Sequence, residues 1–192
     1  MGLGVPADIK SLDDQLDAAE SDARSLTAGL SEAQGAWRAE AGAWSVAECL
    51  DHLATANRVY LRAMEAPAVR AREQGKHRRG PATPGFVGRW FAGTMEPPVT
   101  SRFRMKAPRS IRPRTAPTLA DAVASFLASQ NEMRAFLRTY SDLDLAGVRF
   151  PNPFIRGVRF SLATGLHVIV AHERRHLWQA WRVRHAAEGA TI

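Results

Sequence analysis

Apolar residues that return every three or four positions, on four separate long stretches, restrict this chain more than any other property. From Ile9 to Leu30 the residues Ile9, Leu12, Leu16, Ala19, Ala23, Leu26 and Leu30 keep that spacing, which puts them on one side of an amphipathic helix. A second helix opens at Ser45-Val46-Ala47-Glu48 and runs through Leu50, Leu53, Tyr60 and Met64 towards residue 66. Its first four residues form a capping box, in which the Ser side chain accepts from the N3 amide and the Glu reaches back to the Ser amide. The third follows Pro117, with Thr118 as its cap, and carries Leu119, Val123, Phe126, Leu127, Met133, Phe136 and Leu137 on one side. The fourth begins near Ser161 and ends around Arg184 to Ala187, before Gly189. No stretch alternates long enough to predict a strand, and only Gly147 to Phe150 is short and apolar enough to be read either way. Four such helices, two of them separated by a long connection, predict an all-α four-helix bundle.

At 192 residues, 45% hydrophobic and 23% charged, the chain has the length and composition of one domain with its own core, residues 1–192. The stretch MGLGVPADIKSLDD shows no basic segment followed by an apolar run, and no window approaches 18 uninterrupted apolar residues, so a cytoplasmic protein without a membrane span is expected. One cysteine, Cys49, excludes an internal disulfide framework.

The formal charge of +7 is regional. Between Arg70 and Arg114 there are 12 Lys and Arg against Glu73 and Glu96, and seven of the 11 prolines lie between Pro81 and Pro117. Residues 67–117 therefore read as a long basic, Pro-rich connection between the second and third helices, unsuited to a groove-reading helix. Such a segment is a solvated loop, an attractor for an anionic small-molecule substrate, or, as the least favoured reading, a nucleic-acid contact.

Near the C-terminus, His172-Glu173-Arg174-Arg175-His176 spells H-E-x-x-H. On a helix both imidazoles share one face, with Cβ atoms roughly 6 Å apart, and two nitrogens can bind one metal. A peptidase built on this motif takes its third ligand from downstream. Here positions 179 and 182 are Gln179 and Arg182, and the remaining downstream candidates, His185 and Glu188, lie at the end of the same helix. Upstream, His52 sits two turns into the second helix on the side shared with Cys49, Ala56 and Val59, which must face the interior. Bundle cores assemble metal sites from facing helices in this way, so the motif reads as two-thirds of a three-His site.

The stretch W-S-x-x-E-x-x-x-H-L at Trp44 to Leu53, followed by H-x-x-x-H-x-x-Q at His172 to Gln179, resembles the DinB-like superfamily across nearly the whole chain. The resemblance implies a cytoplasmic four-helix bundle, often a homodimer, with His52, His172 and His176 as ligands of a divalent transition metal. It also implies a metal-dependent transferase using a low-molecular-weight thiol, or a related hydrolase. Zn and Ni lead among metals that suit imidazole ligands.

Three imidazoles leave positions open, as in catalytic sites, where a metal lowers the pKa of water towards 7 or holds a thiolate. Glu173 is a candidate general base or a structural carboxylate, and Gln179 either meets substrate or packs. Glu48 either closes the cap or orients His52, and Cys49 reads as a buried apolar side chain. Trp44, Trp178 and Trp181 read as core or interface aromatics, while His77, His167 and His185 are assigned no metal role. A non-catalytic metal-binding module active in stress response is the competing reading, followed by a nucleic-acid binder.

Overall fold

A computed structural model describes residues 5–98 and 107–190. Six α-helices occur among them: α1 (Ala7–Thr27), α2 (Glu32–Ala36), α3 (Val46–Glu73), α4 (Phe86–Gly93), α5 (Leu119–Tyr140) and α6 (Leu162–Ala190). Two three-residue strands, β1 (Arg149–Pro151) and β2 (Arg159–Ser161), pair antiparallel. The bundle consists of α1, α3, α5 and α6. Helix α3 packs against α5 and α6, and α1 against the same two, so α1 and α3 lie diagonally opposite.

Periodicity dictates this packing. In α1 the expected stripe of Ile9, Leu12, Leu16, Ala19, Ala23 and Leu26 is buried, and in α5 Phe126, Met133, Phe136 and Leu137 are. Ser45 and Glu48 close the capping box of α3, with Glu48 Oε2 accepting from the Ser45 amide at 2.9 Å. Ser31 and Gln34 form a second box at α2. The Thr118 hydroxyl caps α5 by accepting from the Asp121 amide. Gly165 allows α6 to approach the hairpin: a Cβ there would lie 2.8 Å from Met64 Sδ and from Phe150.

Besides adding the short α2 and carrying α6 past Gly189, the structure corrects the expected elements in three further places. Helix α3 continues through Pro67 to Glu73 rather than stopping near 66. Interior proline costs about 3 kcal/mol, and the burial of Met64, Ala68 and Ala71 in the main core offsets that cost. The connection is not free of helix, because α4 forms between Pro84 and Pro97. It lies on α6 through Gly88, where an added Cβ would meet Thr164 Oγ1 at 2.5 Å, and on β2 through Phe91, which packs edge-on against Phe160. Third, the ambiguous segment is a strand that begins at Arg149 and pairs with a second strand that the sequence pattern had not marked. Three-residue strands are too short for alternation to show. Residues 99–106, with Arg102, Arg104 and Lys106 of the basic segment, lie outside the described residues. Among the described residues no helix is long and apolar enough to cross a membrane.

Candidate metal centre

His52 stands on the second turn of α3, buried by the residues around it, and His172 and His176 stand one turn apart on α6. One ligand atom from each lies within 4.8 Å of the others. The three rings meet edge to face, with centroids 4.5 to 5.0 Å apart. Trp44, just ahead of α3, closes the group from above, its ring 4.7 Å from that of His52 and 5.5 Å from that of His176.

Two hydrogen bonds set the ring tautomers. The Ile111 carbonyl lies 2.5 Å from His52 Nδ1, and a carbonyl only accepts, so Nδ1 carries the proton and Nε2 keeps its lone pair. Gln179 Oε1 lies 3.0 Å from His176 Nδ1 and does the same for that ring. Both Nε2 lone pairs are thus directed into the cluster, the usual way in which outer partners orient metal-binding imidazoles. His52 Nε2 and His172 Nε2 are 3.2 Å apart. Two nitrogens bound at about 2.0–2.1 Å to one tetrahedral ion have about this separation, so the donor set fits a divalent transition metal.

Burial also holds the rings in the form that binds. It pushes the His172 pKa down to about 3, helped by the neighbouring His52 and by the Arg175 guanidinium. The same cause puts His176 well below its ordinary value and lowers His52, against the upward pull of the Ile111 carbonyl. Neutral imidazoles are the ligand form at pH 7.

Glu173 is directed elsewhere. It is fully buried, and Oε1 accepts from Asn57 Nδ2 at 2.7 Å and Gln130 Nε2 at 2.5 Å. It is not among the donors that gather at the three histidines. Burial raises its pKa to about 7. Three oxygens of this cluster, Glu173 Oε2, Asn57 Oδ1 and Gln130 Oε1, lack a hydrogen-bond partner, and a protonated carboxyl would provide a donor for one of the amide oxygens. Glu48 is committed to the cap and to Arg38, at 2.6 Å, so the orienting role at His52 belongs to Ile111 instead. Cys49 is buried, and burial raises its thiol pKa. His77 and His185 lie outside the cluster, and His167 faces the Ala82 carbonyl at 3.2 Å.

Ile111 escaped the sequence reading because a backbone carbonyl carries no residue signature. It arrives on a single 3-10 turn, Arg109–Ile111, within the basic connection. The same stretch is anchored by Arg114, whose amide and guanidinium both bond to the buried Asp51 carboxylate, at 2.8 and 2.6 Å. On the other flank Arg174 pairs with Glu96, and Arg175 Nη1 donates to the Thr94 carbonyl at 3.3 Å.

No curated protein and no solved structure matches the chain. The family model described as the DinB superfamily matches residues 15–180, a span that takes in all three histidines, Trp44 and Gln179. The chain therefore belongs to the DinB superfamily.

Proposed function

We propose that this protein is an enzyme that holds a divalent transition metal, Zn or Ni, at His52, His172 and His176 and transfers a low-molecular-weight thiol to an electrophile, or carries out a related hydrolysis. The observation that supports it best is the approach of His52 Nε2, oriented by Ile111, to His172 Nε2 at 3.2 Å, with a ligand nitrogen of each of the three histidines within 4.8 Å of the others. A closed structural site would supply a fourth protein ligand, and among the described residues none joins the three. Such a metal would supply Lewis acidity that makes a thiol or a water nucleophilic at neutral pH.

The chain's own residues do the rest. Ile111 and Gln179 hold two rings by their Nδ1 protons. Trp44 shields the imidazoles from bulk water on one side. His172, the most exposed of the three, marks the side from which substrate approaches. Arg175 is the guanidinium whose field reaches both His172 and His176, and among the described residues its side chain holds only the long bond to Thr94. It is placed to receive the carboxylate of an anionic thiol cosubstrate. Glu173, sealed in the core, has no route to substrate and is not assigned the general-base role.

The test is a screen of thiols against electrophiles on metal-loaded protein. Conjugation that disappears on chelation and in His172→Ala is expected. Arg175→Gln should raise KM for a carboxylate-bearing thiol about tenfold, the loss of one charge-assisted contact, while metal content stays unchanged. Metal-loaded protein with no thiol transfer or hydrolysis on any substrate would leave the non-catalytic module as the better reading.

A further inference from the structure

The C-terminal end of α3 and the hairpin enclose a second concavity, of about 280 Å³, far from the histidines. Arg70 lies 18 residues beyond His52, which is about 27 Å along the helix at 1.5 Å per residue. The pocket is lined by Pro67, Ala71 and Val148, all buried, and by four exposed cations, Arg70, Lys76, Arg149 and Arg159. No carboxylate lines it. None of the four cations forms an ion pair among the described residues; Arg159 donates to the Arg149 carbonyl at 3.3 Å, whereas Arg72, two residues beyond Arg70, is paired with Asp142.

Several arginines elsewhere are neutralised by carboxylates, as Arg134 is by Asp17 and Glu20, while others, Arg175 among them, stand singly. Here like charges are gathered. The hairpin register sets Arg149 opposite Ser161 and Arg159 opposite Pro151, so both arginines project from the same face of a three-residue ribbon. Diagonal like charges on one face, about 7–8 Å apart, add nothing to the strand pairing. The negative end of the α3 dipole accounts for Arg70 and Lys76 but not for the ribbon pair. Asp144, whose amide bonds to the Lys76 carbonyl, turns its carboxylate back onto the Gly147 amide at 3.0 Å and forms no ion pair with the four cations among the described residues.

We propose that this pocket binds a small, multiply charged phosphate, of the size of a diphosphate. Guanidinium forks match phosphate oxygens two at a time, and two arginines on the ribbon share the lining with Arg70 of α3 and with Lys76 in the turn just after it. Four cations around one concavity, rather than spread along a stripe, suit a compact polyanion better than the regularly spaced phosphates of a duplex. The volume is below that of pockets for drug-sized ligands, which fits a small anion over an apolar floor.

Isothermal titration of the metal-loaded protein with inorganic pyrophosphate, at physiological ionic strength, tests this. Saturable one-to-one uptake is expected. It should weaken at least about tenfold in Arg70→Glu and, independently, in Arg149→Glu with Arg159→Glu, in variants whose circular dichroism melts show them folded. Uptake should persist in His52→Ala and change less than about twofold in Arg79→Glu, which alters the charge of the connection by as much as Arg70→Glu alters that of the pocket. Absence of saturable uptake would overturn the proposal. So would equal weakening by Arg79→Glu, uptake that is lost with His52, or a duplex oligonucleotide bound more tightly than pyrophosphate through the same residues.

Discussion

Glu173 carries the sharpest residue-scale consequence, because its neighbours in sequence suggest catalysis and its surroundings suggest structure. Its pKa is raised from 4.5 to about 7. The neutral carboxyl is the form the fold favours, so its contribution to stability is present below about pH 4.5 and is lost as pH rises through 7. The three histidines behave oppositely. Their values are lowered, so their contribution is present above pH 6.5 and is lost as pH falls, for His172 towards 3. Comparing Glu173→Gln with the natural protein isolates the carboxyl, and a Gln amide can donate to the orphaned Asn57 or Gln130 oxygen. We expect the variant's melting temperature, relative to the natural protein without metal, to rise steadily between about pH 4.5 and 7. Metal content should be retained. A flat difference across that window, or loss of metal, would restore Glu173 to the site. The H-E-x-x-H spelling could not show this, since a helix turns adjacent residues about 100° apart and aims His172 and Glu173 at different neighbours.

At the scale of elements, the caps and the long amphipathic stripes were legible because each is a local pattern. Ser45 and Glu48 form the box that the spacing predicts, and it fixes the first turn on which His52 depends. Ser45→Ala should cost about 1 kcal/mol of stability by denaturant titration, with metal content little changed, because the buried Leu50 and Leu53 still hold α3. A loss above about 3 kcal/mol would mean that the cap supports the metal centre directly. What stayed illegible depends on long-range packing. Pro67 would ordinarily end a helix, and only the core beyond it explains why α3 continues. Helix α4 lies in a segment whose prolines argue against helix, yet Pro84 and Pro97 flank it rather than interrupt it. Its outward residues Phe86, Val87 and Trp90 are exposed, which helical periodicity alone would have assigned to a core.

For the whole molecule, a metal held by the three histidines would tie α3 to α6, which also pack directly against one another. A ligand selective for the folded state stabilises it in proportion to its occupancy. Chelation should therefore lower the melting temperature at pH 7.5, and lower it further as the solution is acidified below 6.5 and the vacant imidazoles resist protonation. A melting temperature indifferent to chelator would contradict this. The bundle and its three histidines could be read from sequence because each ligand sits on a helix with a clear inward face. The route by which the basic connection reaches the site, through the Ile111 carbonyl at His52 and Arg114 on Asp51, could not, because a Pro-rich loop has no period to extrapolate. The most direct test is elemental analysis of untagged protein beside His52→Ala, His172→Ala and His176→Ala. The account predicts about one equivalent of a divalent transition metal in the natural protein and a sharp loss in every variant, since two imidazoles hold such an ion far less tightly than three. Full occupancy in folded His52→Ala would contradict it.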